Sequence, residues 1–186
     1  LRVQKTSGSH RVPVDTSRTF KPIHIALLTV SDTRGPDEDT SGDILAERIK
    51  GAGHHLVARA IEKDDAARIA SRLNNWIDDR SVDAVVITGG TGLTGRDVTP
   101  EALDRVKTRD IPGFGELFRW LSYKTIGTST IQSRACAVVA RGTYIFALPG
   151  SNGAVKDGWD GILAEQLDSR NRPCNFVELM PRLLEK

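Results

Sequence analysis

The sequence predicts an α/β fold, a three-layer domain with a mostly parallel mixed central sheet flanked by helices. Three observations carry that expectation. Strand-like and helix-like segments alternate from Ile23 to Leu184. The strand-like runs are apolar on nearly both faces, which suits a parallel sheet covered on each side. Several runs end abruptly in polar or glycine-rich loops, as such sheets do where they meet a ligand beyond the carboxyl ends of their strands.

The elements follow in order. Ile23, Ile25 and Leu27 interleave with Ala26, Leu28 and Val30, which marks the first strand as central. Thr40-Ser41-Gly42-Asp43 reads as a capping-box variant with Thr40 as the cap, and Leu45, Ile49 and Ala52 continue at helical spacing until Gly51 and Gly53 stop it. His54 to Ile61 reads as the second strand. Asp64-Asp65 then opens an amphipathic helix with Ala66, Ile69, Leu73, Trp76 and Ile77 on one face and acid at its positive end. Val82 to Thr88 is a β-branched run ending in Gly89-Gly90-Thr91-Gly92, so the third strand points at a site. Thr99-Pro100-Glu101 is expected to start a helix, with Thr99 as N-cap and Pro100 in its first position. Phe114, Leu117, Phe118 and Leu121 form another helical stripe. Cys136–Ala140 and Tyr144–Leu148 are joined by only Arg141-Gly142-Thr143, too short for a parallel crossover, so a hairpin makes the sheet mixed. Pro149 to Gly153 leads into a helix with Val155, Trp159, Ile162 and Leu163 inward, and a helical stretch from Phe176 to Leu184 closes the chain.

Length and composition bound the function. A chain of 186 residues fits one domain, here 23–186, preceded by an arm over 1–22 that is expected to be disordered and exposed. The net charge is +2 and much of the basic excess sits in that arm. This is not the footprint of a nucleic-acid binder. No run approaches the ~18 apolar residues that span a bilayer, and the arm lacks the apolar segment of a secretory signal. A cytoplasmic small-molecule protein is expected. Cys136 and Cys174 stand far apart without a CxxC pattern and are expected as reduced, buried thiols. Trp76, Trp120 and Trp159 fall on helical stripes and are expected in the core or a subunit contact.

Chemistry concentrates in three loops expected to converge: Ser31-Asp32-Thr33-Arg34, Thr88 to Asp97, and Pro149 to Gly153. Gly89-Gly90-Thr91-Gly92 allows positive φ and inward-pointing backbone N–H groups, a concavity suited to phosphate. It is not a P-loop, because Arg96 and Asp97 stand where Lys and Ser or Thr are required. Asp97 is placed to hold Mg²⁺ or a sugar hydroxyl, or to serve as a solvated loop acid. Asp64 opens a helix, and helix-dipole stabilisation alone explains it fully. Asp32 and Arg34 are placed to grip a polar ligand or, equally, to be solvated loop charges, and the Ser151 hydroxyl to cap a helix or bind an anion. His54 and His55 point to opposite faces of a strand, so no zinc site is expected. No nucleophile elbow or reactive cysteine stands out.

Thr88-Gly89-Gly90-Thr91-Gly92, then Arg96 to Ala102, Gly113-Phe114-Gly115-Glu116 and Leu148-Pro149-Gly150-Ser151 resemble the MoaB/MogA family of molybdenum-cofactor biosynthesis proteins, a domain that also occurs in gephyrin and MoeA-type proteins. The resemblance runs from about Ile23 to Leu184. Asp37 to Gly42, Gly127 to Arg134 and Arg172 to Phe176 are most similar to the MoaB branch. The resemblance implies trimers or hexamers, a pocket for molybdopterin and nucleotide, and, by analogy with the MogA branch, adenylylation of molybdopterin with Mg²⁺-ATP and release of pyrophosphate. Two family aspartates tied to that activity fall on Asp64 and Asp97. The resemblance also assigns phosphate contacts to Thr88 and Gly89–Gly92, and pterin or nucleotide contacts to Ser31, Asp32, Pro149, Gly150 and Ser151. A MoeA-type protein is implied as downstream partner. The alternative implied is a non-catalytic pterin- or nucleotide-binding carrier or scaffold.

Overall fold

The computed structural model describes residues 14–185. Its strands are β1 His24–Val30, β2 His55–Glu62, β3 Ala84–Thr88, β4 Arg109–Asp110, β5 Cys136–Ala140 and β6 Thr143–Leu148. They form one six-stranded sheet in the order β2-β1-β3-β6-β5-β4. β1 pairs in parallel with β2 and β3, and β3 with β6. β5 runs antiparallel to both β6 and β4, which makes the sheet mixed. The hairpin reading of Cys136–Leu148 holds, because two residues can close only an antiparallel pair. The two-residue edge strand β4 escaped the sequence reading, being polar and too short for a periodicity.

The alternating residues of β1, β3 and β6 feed two cores. On one face Ile25, Leu27, Val86 and Phe146 pack against α1 (Thr40–Gly51), α4 (Pro112–Ile126), α5 (Asn152–Gly158) and α7 (Phe176–Leu179). On the other, Ala26, Leu28, Val85, Ile87 and Ile145 pack against α2 (Ala66–Asp78) and α3 (Thr99–Asp104). Phe118 and Phe146 are among the largest fully buried side chains, and truncating either to Ala costs about 3–5 kcal/mol. Past α5, a π-helical turn over Trp159–Leu163 leads into α6 (Ala164–Gln166), with Trp159, Ile162 and Leu163 buried as expected.

Several local expectations are corrected. The N-cap of α1 is Asp39, not Thr40: its buried carboxylate accepts from Gly42 N–H at 3.0 Å, from Thr29 Oγ1 at 2.7 Å and from Arg59 Nη2 at 2.7 Å. The N-cap of α3 is Val98, because the Thr99 hydroxyl donates to Gly89 O at 2.9 Å instead of capping its own helix. β2 begins at His55. His54 is buried, with Nδ1 accepting from Ile23 N–H at 3.3 Å. The last helical stretch divides into α7 and a 3₁₀ turn over Met180–Arg182. Cys136 is half-buried and Cys174 exposed. At Cys174 the neighbouring Asn175 takes the inward position, donating to Ser169 O and Asn171 O while its own carbonyl caps α7. Trp159 is buried, whereas Trp120 is 56% exposed.

Of the arm expected over 1–22, residues 1–13 lie outside the described residues. Residues 14–22 are tied to the body. Asp15 N–H donates to Arg170 O, Lys21 N–H to Ser169 Oγ, and Arg18 Nη1 to Ser169 O, while the Arg18 guanidinium also pairs with Glu178. Apolar periodicity carried no trace of this attachment, which rests on these polar bonds and on the Phe20 ring against His54 and the Arg170 guanidinium.

Candidate functional site

The carboxyl ends of β1, β3 and β6 face the same edge of the sheet, so the three loops that leave them meet. Ser31, Asp32, Arg34, Asp64, Gly89–Gly92, Asp97, Pro149 and Gly150 line one cleft of about 460 Å³. Thr91, Gly92 and Pro149 also line a second cleft of about 280 Å³, walled by Phe118, Ile126, Thr130, Ser151 and Asp157. The Gly89–Gly92 loop with Pro149 is thus a ridge between two compartments. Thr88 lies beneath it, fully buried, its hydroxyl within reach of Ser41 Oγ and Pro149 O at 3.3 Å each.

The glycines of the ridge are sterically required. Gly89 has φ +105° and a Cβ there would strike Val30 O; Gly90 has φ +65° and a Cβ would strike Thr99 Oγ1. Every carbonyl of the loop is engaged by a protein donor. Gly89 O and Gly90 O accept from the Thr99 hydroxyl and N–H, Thr91 O from Arg134 N–H at 2.8 Å, and Gly92 O from Arg134 Nε at 2.7 Å. Two of the four loop amides are engaged internally, Gly89 with Leu148 O and Gly92 with Asp97. The N–H groups of Gly90 and Thr91 have no acceptor among the described residues. The Thr91 hydroxyl is also buried without a partner among them. An orphaned buried polar group carries a desolvation cost of about 1–3 kcal/mol, which an acceptor on a bound ligand would relieve.

The acids around the ridge differ in state. Asp32 is held below the ordinary carboxylate range, first by its pairing with Arg96 and then by accepting from Asp64 N–H at 3.1 Å. Burial pushes the Asp64 carboxyl up, and the charge of Asp32 adds to this. Burial also acts to raise Asp97, but donors from Thr94 and Gly92 outweigh it and hold Asp97 low. Asp97 Oδ2 accepts from Thr94 N–H at 2.9 Å and Thr94 Oγ1 at 2.7 Å, folding the 92–97 turn back on itself. No group of three or more His, Cys, Asp or Glu among the described residues has a metal-holding arrangement.

The remaining expected residues shape the loops. Ser31 Oγ accepts from Thr33 and Arg34 N–H. Arg34 Nη1 donates to Ser41 Oγ at 3.0 Å and Gly150 O at 3.1 Å, bolting the first loop to the third. Ser151 caps α5 by accepting from Ala154 N–H at 3.2 Å and faces the second cleft rather than the first. Sequence reasoning missed Ser41, the Arg134–Glu101 pair and the wall residues Thr130 and Asp157, none of which carries a local spacing signal.

A model of the MoCF_biosynth family, described as a probable molybdopterin binding domain, matches residues 26–169. The chain belongs to this family. It is 52% identical over 160 residues to molybdenum cofactor biosynthesis protein B of Escherichia coli (strain K12), covering 86% of this chain and 94% of that protein. A crystal structure of molybdenum cofactor biosynthesis protein B superposes with a TM-score of 0.78 at 38% identity, over 81% of this chain and 94% of the other. The tungsten cofactor synthesizing protein MoaB from Pyrococcus furiosus gives 0.71 at 36%, over 78% and 92%. The fold is that of the MoaB/MogA molybdopterin-binding proteins, and membership places the chain in molybdenum-cofactor biosynthesis. No helix among the described residues is long and apolar enough to cross a membrane.

Proposed function

We propose that the two clefts bind molybdopterin and a nucleotide together, and that the chain transfers the adenylyl group of ATP to the pterin phosphate. A phosphate oxygen of the pterin attacks the α-phosphorus, the bond from that phosphorus to the β-phosphate oxygen breaks, and pyrophosphate leaves. Such a transfer needs no protein nucleophile; it needs positioning and charge neutralisation. The carrying observation is the ridge, where the free Gly90 and Thr91 N–H groups and the orphaned Thr91 hydroxyl lie between the clefts. Phosphates suit the larger, polar cleft, and a flat ring suits the second, bounded by Phe118 and Ile126.

Mg²⁺ takes one or two carboxylates together with substrate phosphates and water. The Asp64 carboxylate meets the Asp32 backbone N–H and no side-chain donor among the described residues, and Asp97 keeps one oxygen outside the Thr94 bonds. Bound there, Mg²⁺ would neutralise charge on the phosphates. Ser31 and Asp32 border the polar cleft, and Ser151 the ring cleft.

A non-catalytic carrier is the second reading, favoured by the engagement of Asp97 Oδ2 within its own turn. Incubation with molybdopterin and Mg²⁺-ATP separates the two. Adenylylated pterin and pyrophosphate are expected, lost in Asp64→Asn with pterin binding kept; pterin binding without turnover in the parent chain would leave the carrier. We propose further that the chain forms a cytoplasmic homotrimer or homohexamer and hands its product to a MoeA-type protein. Leu117, Trp120, Tyr123 and Ile126 of α4, all exposed, support a subunit contact.

A further inference from the structure

We propose that Arg134 is a positioning residue that locks the ridge and the Asp97 turn to the wall of the second cleft; which ligand groups benefit rests on the reading above. The Arg134 backbone N–H donates to Thr91 O, Nε to Gly92 O, and Nη2 to Asp97 O at 2.6 Å. Its Nη groups also pair with the Glu101 carboxylate on α3. These bonds engage four of the five guanidinium N–H donors. All but one of its N–H groups are therefore committed to protein, so the guanidinium holds the loop and leaves the ligand chiefly to the backbone.

The pin is itself anchored on the other side. Arg119 of α4 donates from Nη1 to Ala135 O at 3.1 Å and Ser133 O at 3.4 Å, the carbonyls flanking Arg134. Thr130 Oγ1 donates to Arg119 O at 3.2 Å, and Thr130 and Ser133 line the second cleft. A continuous set of hydrogen bonds thus runs from the ring cleft through Arg134 to the phosphate ridge and Asp97. The acceptors are spread over Nε, Nη1 and Nη2 of a planar fork, a geometry that the point-like ammonium of Lys does not reproduce.

Arg134→Met and Arg134→Lys in the full chain test this by hydrogen exchange without ligand and by titration with Mg²⁺-ATP and pyrophosphate. In both variants, amide exchange over 91–97 is expected to rise at least about tenfold while β1 and β3 amides keep their rates, as for a local opening. Mg²⁺-ATP affinity is expected to fall by up to about 10²-fold, the scale of an ångström-sized misplacement. Low millimolar guanidinium is expected to restore part of it in Arg134→Met. Unchanged exchange over 91–97, an equal rise in β1 and β3, or parent-like behaviour of Arg134→Lys would overturn the proposal. Should Arg134→Met not fold, Glu101→Gln reads the same turn through its partner, and unaltered exchange there would count against the pin. The exchange result needs no ligand. Faster exchange with no nucleotide or pyrophosphate binding to the parent chain would sink the nucleotide reading and leave the pin standing.

Discussion

Gly90→Ala places one methyl group at the centre of the ridge. Its φ of +65° is left-handed, and the new Cβ would overlap Thr99 Oγ1 and stand 3.2 Å from Val30 Cγ1 and 3.3 Å from Asp64 Oδ1. The conformation itself costs about 1–2 kcal/mol for a residue with a Cβ. Relieving the overlap turns the Thr99 hydroxyl away from Gly89 O, and losing that buried bond costs about 1–3 kcal/mol. A total near 3 kcal/mol, at about 2–4 °C per kcal/mol for a chain of this length, lowers Tm by about 6–12 °C. Gly95→Ala is the internal control, in the same loop but with φ outside the left-handed range and nothing within 4 Å of its Cβ. It is expected to leave Tm within about 2 °C, since surface changes stay within about 0.5 kcal/mol. Paired thermal melts followed by circular dichroism decide the matter. Equal Tm values for the two variants would refute the steric account of the ridge.

Asp64→Asn should raise the Tm of the unliganded chain at neutral pH. A carboxyl whose folded pKa is raised contributes stability that is complete below its unfolded pKa and lost as pH rises through the folded value, so the charged form at pH 7 is a net cost. The gain should vanish in melts run below the carboxylate range, and a lower Tm at neutral pH would contradict the burial argument. Asp39→Ala removes a cap and a buried charge-assisted bond and should cost about 2–4 kcal/mol by urea denaturation, against less for Asp39→Asn, which can still cap. Trp120→Glu should shift sedimentation towards monomer without lowering Tm of the protomer, since the ring is mostly exposed. Iodoacetamide at pH 8 should label Cys174 well before Cys136, whose thiol burial pushes up to about 11; mass mapping of partly labelled chain reads the order.

What was legible in the sequence was whatever depends on continuous local pattern. The β-branched run to Thr88 and the twofold-apolar first strand located the sheet centre. The abrupt change to Gly89-Gly90-Thr91-Gly92 located its ligand edge, so Asp32, Asp97 and Gly150 could be brought to one cleft before any coordinates, whereas Asp64 joined them only through the family resemblance. Local pattern failed where a side chain serves a distant partner. Thr99 has the composition of an N-cap yet reaches ten residues back to Gly89 O. Asp39 sits among loop acids but is wholly buried by Arg59 and Thr29. Ser151 stands with the third loop in sequence and turns to the other cleft. Arg134 has no neighbours in sequence that announce a fork around Gly92, Asp97 and Glu101.

The strand order has a bearing on how the chain is made. β6 lies in the middle of the sheet, between β3 and β5, although it is the last strand to leave the ribosome. Until Thr143–Leu148 emerges, β3 has an unpaired apolar edge and the growing chain carries the kind of template that recruits foreign strands. Translation of the 54 residues between the end of β3 and the start of β6 therefore marks an exposed interval, at about 5–20 residues per second a matter of several seconds. The ridge, whose Gly89 N–H waits for Leu148 O, acquires its shape only when that interval closes.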